Sequence, residues 1–223
     1  LTLANFCCGI AAIGFVFANA YVRAFVFVFI GQFFDLFDGR LARKYGSTRH
    51  GAMYDDIADA TSFGLAIGLL VYQRLGSTGP ALILAVVYFA CVVYRLIRFL
   101  RPPFPLPKGI FLGLPSPAGA LLAGVSVLLF HGRPVVAAFF VLVSSGLMVS
   151  RLRYRHFGRV IWPSLPNAVK LLGFVLFLVF VNVTLATRQY DTFNLLVFIM
   201  AMMYTVLGTV RPKKPPAKPE PPA

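Results

Sequence analysis

Five of the seven acidic residues in this chain, Asp35, Asp38, Asp55, Asp56 and Asp59, lie in one short segment. A carboxylate near the middle of a bilayer costs about 2.5 kcal/mol or more unless compensated, so a chain this apolar has reason to avoid them. Asp35 and Asp38 are three positions apart, and Asp55 and Asp59 four. On helices each pair therefore shares a face, one turn above the other. Two helix ends with such pairs, joined by a short glycine-containing loop, make an oxygen-rich pocket for one or two hard cations. Mg²⁺ or Mn²⁺ suits these donors, with substrate phosphates completing the shell. Asp56 is set about 100° round the helix from Asp55 and need not point inward. Gly39 and Ala42 leave room for a ligand to approach the backbone, and Arg40 and Arg43 place positive charge beside its anionic groups.

The run Asp-x2-Asp-Gly-x2-Ala-Arg, then Gly-x3-Asp-x3-Asp, is carried by Asp35, Asp38, Gly39, Ala42, Arg43, Gly51, Asp55 and Asp59. It resembles the signature of the CDP-alcohol phosphotransferases, integral membrane enzymes of phospholipid synthesis. The segment between Arg43 and Gly51 is slightly shorter than that family usually has, a change confined to a loop and expected to leave the pocket intact. The resemblance implies that Asp35, Asp38 and Asp55 are ligands of two divalent ions. It also implies that Asp59 lies at the metals and doubles as general base. Asp35, Asp38, Gly39, Ala42, Arg43 and Gly51 are then the CDP-binding residues. A homodimer is implied by the same resemblance.

A second stretch, Gly113-Leu114-Pro115-Ser116-Pro117-Ala118, follows Arg95-x2-Arg98-Phe99. By itself it reads as a helix start, with proline in the first turn. Together with Leu3-Ala4-Asn5-Phe6-Cys7-Cys8-Gly9, Thr61-Ser62-Phe63-Gly64 and Met148-Val149-Ser150, it resembles the phosphatidylserine synthase branch of the family. Leu100 stands where that branch is expected to carry asparagine. The branch implies CDP-diacylglycerol and L-serine as substrates, with phosphatidylserine and CMP as products. Arg95, Arg98, Ser116, Arg151 and Arg153 are candidates for the serine carboxylate or a lipid phosphate. The plain alternative for each arginine is a membrane-surface anchor. Ser116 is a polar contact rather than a nucleophile, because no histidine accompanies it. His50, His131 and His156 suggest neither a triad nor a zinc site.

Composition agrees with a membrane enzyme. The 223 residues are 59% hydrophobic and 13% charged, with a mean hydropathy of +0.81, which is the range of polytopic membrane proteins. The net charge of +14 could suggest nucleic acid. Its basic residues fall instead in small clusters between apolar runs, as in loops facing a cytoplasm and anionic lipid heads. Cys7, Cys8 and Cys91 lie in apolar stretches without metal spacing and read as inert core residues. The chain starts at Leu1, as a trimmed sequence does, and its first apolar run leads directly into the polytopic core with no cleavable signal expected.

Apolar runs predict an all-α bundle of about eight spans, near 2–19, 21–37, 51–73, 80–99, 116–131, 134–150, 168–187 and 193–210. One set of alternate loops holds sixteen basic residues: Arg40, Arg43, Lys44 and Arg49; Arg95, Arg98, Arg101 and Lys108; Arg151, Arg153, Arg155 and Arg159; Arg211, Lys213, Lys214 and Lys218. The other set holds four, Arg23, Arg74, Arg133 and Arg188, with Lys170 inside a span. The positive-inside rule then puts both termini and the aspartate pocket at the cytoplasmic face of the cell membrane. Residues 1–210 form one transmembrane domain, and the Lys/Pro-rich tail 211–223 is expected to be disordered.

Two other readings remain open on the residues alone. One keeps the chemistry with a different acceptor (glycerol 3-phosphate, inositol phosphate or choline) or an archaeal ether lipid. The other is a divalent-cation transporter, since carboxylates in a bundle often mark ion paths. Against the transporter, no acidic residue lies between Asp59 and Asp191 to continue such a path.

Overall fold

A computed structural model of the chain describes residues 1–45, 51–100, 110–155, 166–168 and 190–209, apart from the side chains of residues 38–45 and 52. The described residues are mostly helical: α1 (Thr2–Phe17), α2 (Tyr21–Tyr45), α3 (Gly51–Asp59), a π-helical stretch (Ala60–Ala66), α4 (Ile67–Arg74), α5 (Gly79–Leu100), α6 (Ser116–Leu129), α7 (Pro134–Val149) and α8 (Tyr190–Leu207). The expected spans over 2–19, 80–99, 116–131, 134–150 and 193–210 each coincide with a helix to within a few residues, and that over 51–73 with α3, the π-helical stretch and α4 taken together. The span expected at 168–187 falls almost wholly outside the described residues, and the tail 211–223 does so entirely.

One expectation needs correction. The helix starting near residue 21 does not stop at 37; α2 runs on to Tyr45, so the motif from Asp35 to Arg43 is helical rather than a helix end. Leu36, Leu41, Ala42, Arg43 and Lys44 are good helix formers, no proline intervenes, and the single Gly39 is tolerated. The described residues fit the expected all-α fold, with one short ribbon added to it. Ile110–Leu112 (β1) pairs antiparallel with Arg153–Arg155 (β2), joining Phe111 to Tyr154 at its centre. Both segments were read as loops. Their alternation places Tyr154 inward, fully buried, between two arginines.

Helix α6 is the central helix. Ten of its fourteen residues are buried, as befits a helix apolar all round, and it packs against α7, α8, α4 and α2. Small residues let backbones approach. A Cβ at Gly124 would sit 2.8 Å from Ile67 Cδ1 and from the Phe25 ring, and one at Gly119 would sit 2.7 Å from Met148 Sδ. Helix α8 docks through Phe193, whose ring meets Phe25 and Phe29 of α2 edge-on at 6.4 and 6.1 Å.

The outer faces are apolar too. Leu82, Ile83, Val86, Ile97, Phe99 and Leu100 on α5 are exposed, as are Leu195, Leu196, Ile199, Met200 and Met203 on α8. These two helices are long and apolar enough to cross a membrane.

One junction fixes the end of the bundle that carries the arginines. The Arg98 guanidinium donates from Nη1 to the Val149 carbonyl (2.6 Å) and from Nη2 to those of Leu112 and Met148 (2.8 Å each). It thereby closes the C-terminus of α7, whose last carbonyls lack helical partners, onto β1. Gly113 makes the turn beside it with φ +75°, and a Cβ there would collide with the Met148 carbonyl and lie 2.5 Å from Arg98 Nη2. Gly113→Ala is therefore expected to cost about 1–2 kcal/mol from backbone handedness alone, and more from the collision. A melting midpoint in detergent equal to that of the unaltered protein would contradict this.

Candidate metal and phosphotransfer site

Asp35 projects from α2, and Asp55 and Asp59 from successive turns of one face of α3. One carboxylate oxygen from each falls within 4.8 Å of the others. Asp35 and Asp55 are half-buried and Asp59 is 8% exposed. The four-residue spacing on α3 and the placement of α3 beside the Asp35 turn of α2 bring the three together. Asp56 is absent from this triad, as its angular offset on α3 implies. Asp38 also lies on α2, but its side chain is outside those described, as are those of Arg40, Ala42 and Arg43. Gly39 belongs to the same helical turn. Gly51 opens α3 and is half-buried. The shortened segment before it, residues 46–50, is outside the described residues.

The triad fits a divalent cation. Unit charges 4.8 Å apart repel by about 3.5 kcal/mol at an effective dielectric near 20, so three ionised carboxylates require a compensating cation. The donors are all hard oxygens, the set that suits Mg²⁺ or Mn²⁺ rather than softer metals.

Asp59 is held from below. Asn5 of α1, fully buried, donates from Nδ2 to Asp59 Oδ1 at 3.1 Å. The Ser62 hydroxyl, one turn beyond Asp59, donates to the Asn5 backbone carbonyl at 2.8 Å. Gly9 allows this contact, since a Cβ there would sit 2.5 Å from Ser62 Oγ. The helix turns π-helical right after Asp59, a distortion that often accompanies functional sites. Tyr88 of α5, fully buried, donates to the Phe63 carbonyl at 2.7 Å, adding a hydrogen bond where the wider turn loosens the ladder.

Arg95 supplies the nearby cation. It is 6% exposed, and it interacts electrostatically with Asp59 and Asp35. Its Nη1 donates to Ser116 Oγ at 2.8 Å, and the guanidinium lies 5.5 Å from the Phe99 ring centre and 5.6 Å from that of Phe111. Ser116, fully buried, opens α6 after Pro115. The serine that reads as a helix start is thus both a helix start and a partner of Arg95.

The remaining candidates part company. Among the described residues, the charged groups acting on Asp59 are Asp35, Asp55, Arg95 and Asp56; Arg98, Arg151 and Arg153 are not among them. Arg98 binds the three carbonyls described above. Arg151 is exposed, and Arg153 is half-buried in β2. His131, just past the end of α6, lies with Nδ1 3.2 Å from the Leu128 carbonyl; His50 and His156 lie outside the described residues. Reading the sequence alone gave no role to Asn5. The available signal was an amide in an otherwise apolar first helix, within a stretch already noted for its resemblance to the synthase branch.

Comparison with known proteins gives the same reading. The family described as CDP-alcohol phosphatidyltransferase matches residues 1–150. A Bacillus subtilis protein named CDP-diacylglycerol–serine O-phosphatidyltransferase is 35% identical over 161 residues, covering 70% of this chain and 88% of that one. A Methanocaldococcus jannaschii protein of the same name is 30% identical over 212 residues, 95% of this chain and 92% of its own. A Helicobacter pylori protein, also so named, is 28% identical over 215 residues, 91% of this chain and 85% of its own. A match over most of the chain, including both aspartate-bearing helices, shows that this chain belongs to the CDP-alcohol phosphatidyltransferase family.

Proposed function

We infer that this chain transfers the phosphatidyl group of CDP-diacylglycerol to L-serine, giving phosphatidylserine and CMP. The observation that carries the reading is the Asp35–Asp55–Asp59 triad, formed by the signature residues of α2 and α3, with buried Arg95 facing it. The relatives' names support serine as the acceptor over other alcohols.

Asp35, Asp55 and Asp59, with Asp38 from the same signature, would hold Mg²⁺ or Mn²⁺, two ions in the fullest form of the proposal. Bound there, the cation would neutralise the diphosphate and the charge building on the departing CMP. Gly39, Ala42, Arg43 and Gly51 would line the CDP side. Asp59 accepts the proton of the serine hydroxyl as its oxygen attacks the lipid-side phosphorus. The bond from that phosphorus to the bridging oxygen breaks, and CMP leaves with that oxygen. Arg95, oriented by Ser116 and the rings of Phe99 and Phe111, would take the serine carboxylate or the lipid phosphate. The Arg98 junction keeps α5, β1 and α7 in register around it.

The chain is a membrane protein in this reading, with residues 1–210 as one domain of eight spans and both termini cytoplasmic. Sixteen basic residues against four in alternate loops support the orientation. Exposed apolar side chains on α5 and α8 support a lipid surround. Helices α1, α6 and α7 have 14–16 residues, about 21–24 Å at 1.5 Å per residue. That is short of a ~30 Å hydrocarbon core, a mismatch met by flanking residues and local thinning. A homodimer in the cell membrane completes the proposal.

The test is CMP release by purified protein from CDP-diacylglycerol with Mn²⁺ or Mg²⁺, against a panel of acceptors. Serine-dependent release that stops on chelation is expected. Release with glycerol 3-phosphate, inositol phosphate or choline but not serine would discard the acceptor and keep the site.

A further inference from the structure

We propose that Asn5 is a positioning residue that fixes the Asp59 carboxylate for cation binding and proton transfer. The inference rests on the function just argued and extends it to a residue on another helix. Asn5 is fully buried, and both its side-chain amide and its backbone carbonyl meet the stretch of chain that carries Asp59. The side-chain amide donates to Asp59 Oδ1, and the backbone carbonyl accepts from Ser62 one turn later. One residue of α1 therefore ties down both sides of the point where α3 becomes π-helical.

The amide cannot turn over without harm. Asn5 Oδ1 is buried and has no hydrogen-bond partner among the described residues. It points at α2, where a Cβ on Gly31 would lie only 2.7 Å away. Rotating the amide would turn this carbonyl oxygen onto a carboxylate, two acceptors face to face. The observed orientation leaves the carbonyl unsatisfied and spends the NH₂ on Asp59. The bond to Oδ1 restrains the Asp59 carboxylate, which also offers an oxygen to the triad. Groups hydrogen-bonded to metal-ligating side chains act in this way, by orienting the ligand.

Gly31 offers an independent handle. It is on α2, and the atoms nearest to a Cβ placed there belong to Asn5 and Cys8. Gly31→Ala must displace the Asn5 amide while leaving every carboxylate of the triad in the sequence.

The experiment compares the unaltered protein, Asn5→Ala and Gly31→Ala in detergent. It measures Mn²⁺ affinity without substrate by paramagnetic resonance, and then kcat and KM for CMP release. Both variants are expected to bind Mn²⁺ about 10-fold more weakly and to lose about 10- to 100-fold in kcat, with both KM values within about threefold of the unaltered protein. Asn5 acting only in packing would lower the melting midpoint and leave Mn²⁺ affinity and the kcat-to-KM split alone; that result overturns the proposal. Should Asn5→Ala fail to fold, Gly31→Ala decides by the same readouts. If the unaltered protein binds Mn²⁺ but releases no CMP, the proposed reaction fails, and the affinity comparison still settles the role of Asn5.

Discussion

Asp59→Asn is expected to lower kcat for serine-dependent CMP release by about 10³-fold, within the range that general bases contribute, while KM for CDP-diacylglycerol moves less than about threefold. The substitution keeps the shape of the side chain and a carbonyl oxygen for the Asn5 amide to donate to. It removes the proposed acceptor of the serine proton, in a site where Asp59 is 8% exposed and bulk water is a poor substitute. Asp35→Asn and Asp55→Asn provide the contrast. They weaken the donor set without touching the proposed base, so excess Mn²⁺ is expected to restore much of their activity. Asp59→Asn should stay inactive at any Mn²⁺ concentration. Full recovery of Asp59→Asn by metal would make it a ligand and nothing more, and the base would have to be sought elsewhere.

Arg95→Met is the second large effect, an expected loss of about 100-fold in kcat/KM for serine, in line with the 2–3 kcal/mol typical of a charge-assisted contact. Met matches the length and apolar bulk that Phe99 and Phe111 pack against, so the missing property is the charge. Arg95→Lys keeps the charge but not the planar fork set against two rings and Ser116, and should lose about 10-fold. Where the loss falls is informative. A raised KM for serine assigns Arg95 to the acceptor carboxylate, whereas a lowered kcat at constant KM assigns it to the phosphate in the transition state. Activity of Arg95→Met equal to that of the unaltered protein would return Arg95 to a structural role like that of Arg98. Removing one buried charge beside carboxylates also costs stability, so the melting midpoint must be measured alongside.

Much of this was legible in the sequence because it depends on local information. Hydrophobic runs mark where helices form, and five of the expected spans match single helices to within a few residues. The three- and four-residue spacings put aspartates on shared helix faces, and eight signature residues at fixed offsets identify the family. Local spacing misjudged the end of α2, because a run of polar motif residues looks like a membrane boundary even when good helix formers carry the helix on through it. It also missed the β1–β2 ribbon, since three-residue strands only exist by pairing across 40-odd positions.

Arg95 and Arg98 show where sequence stops. They have the same type, lie three apart on one helix, and were equal candidates. Only the packing of α5 sends Arg95 toward Ser116 and the carboxylates, and Arg98 toward the carbonyls of Leu112, Met148 and Val149. Asn5 makes the same point more sharply, since its partner is 54 residues away. Composition, periodicity and spacing pointed by themselves to a helical membrane protein with a carboxylate pocket, because burial preference and helical phase are properties of short segments, and the resemblance carried by the signature residues supplied the phosphotransferase reading. Which polar groups meet inside that pocket was decided by tertiary structure, because a hydrogen bond between distant residues forms only once the close approach of helices, here permitted at Gly9 and Gly31, has brought them within reach.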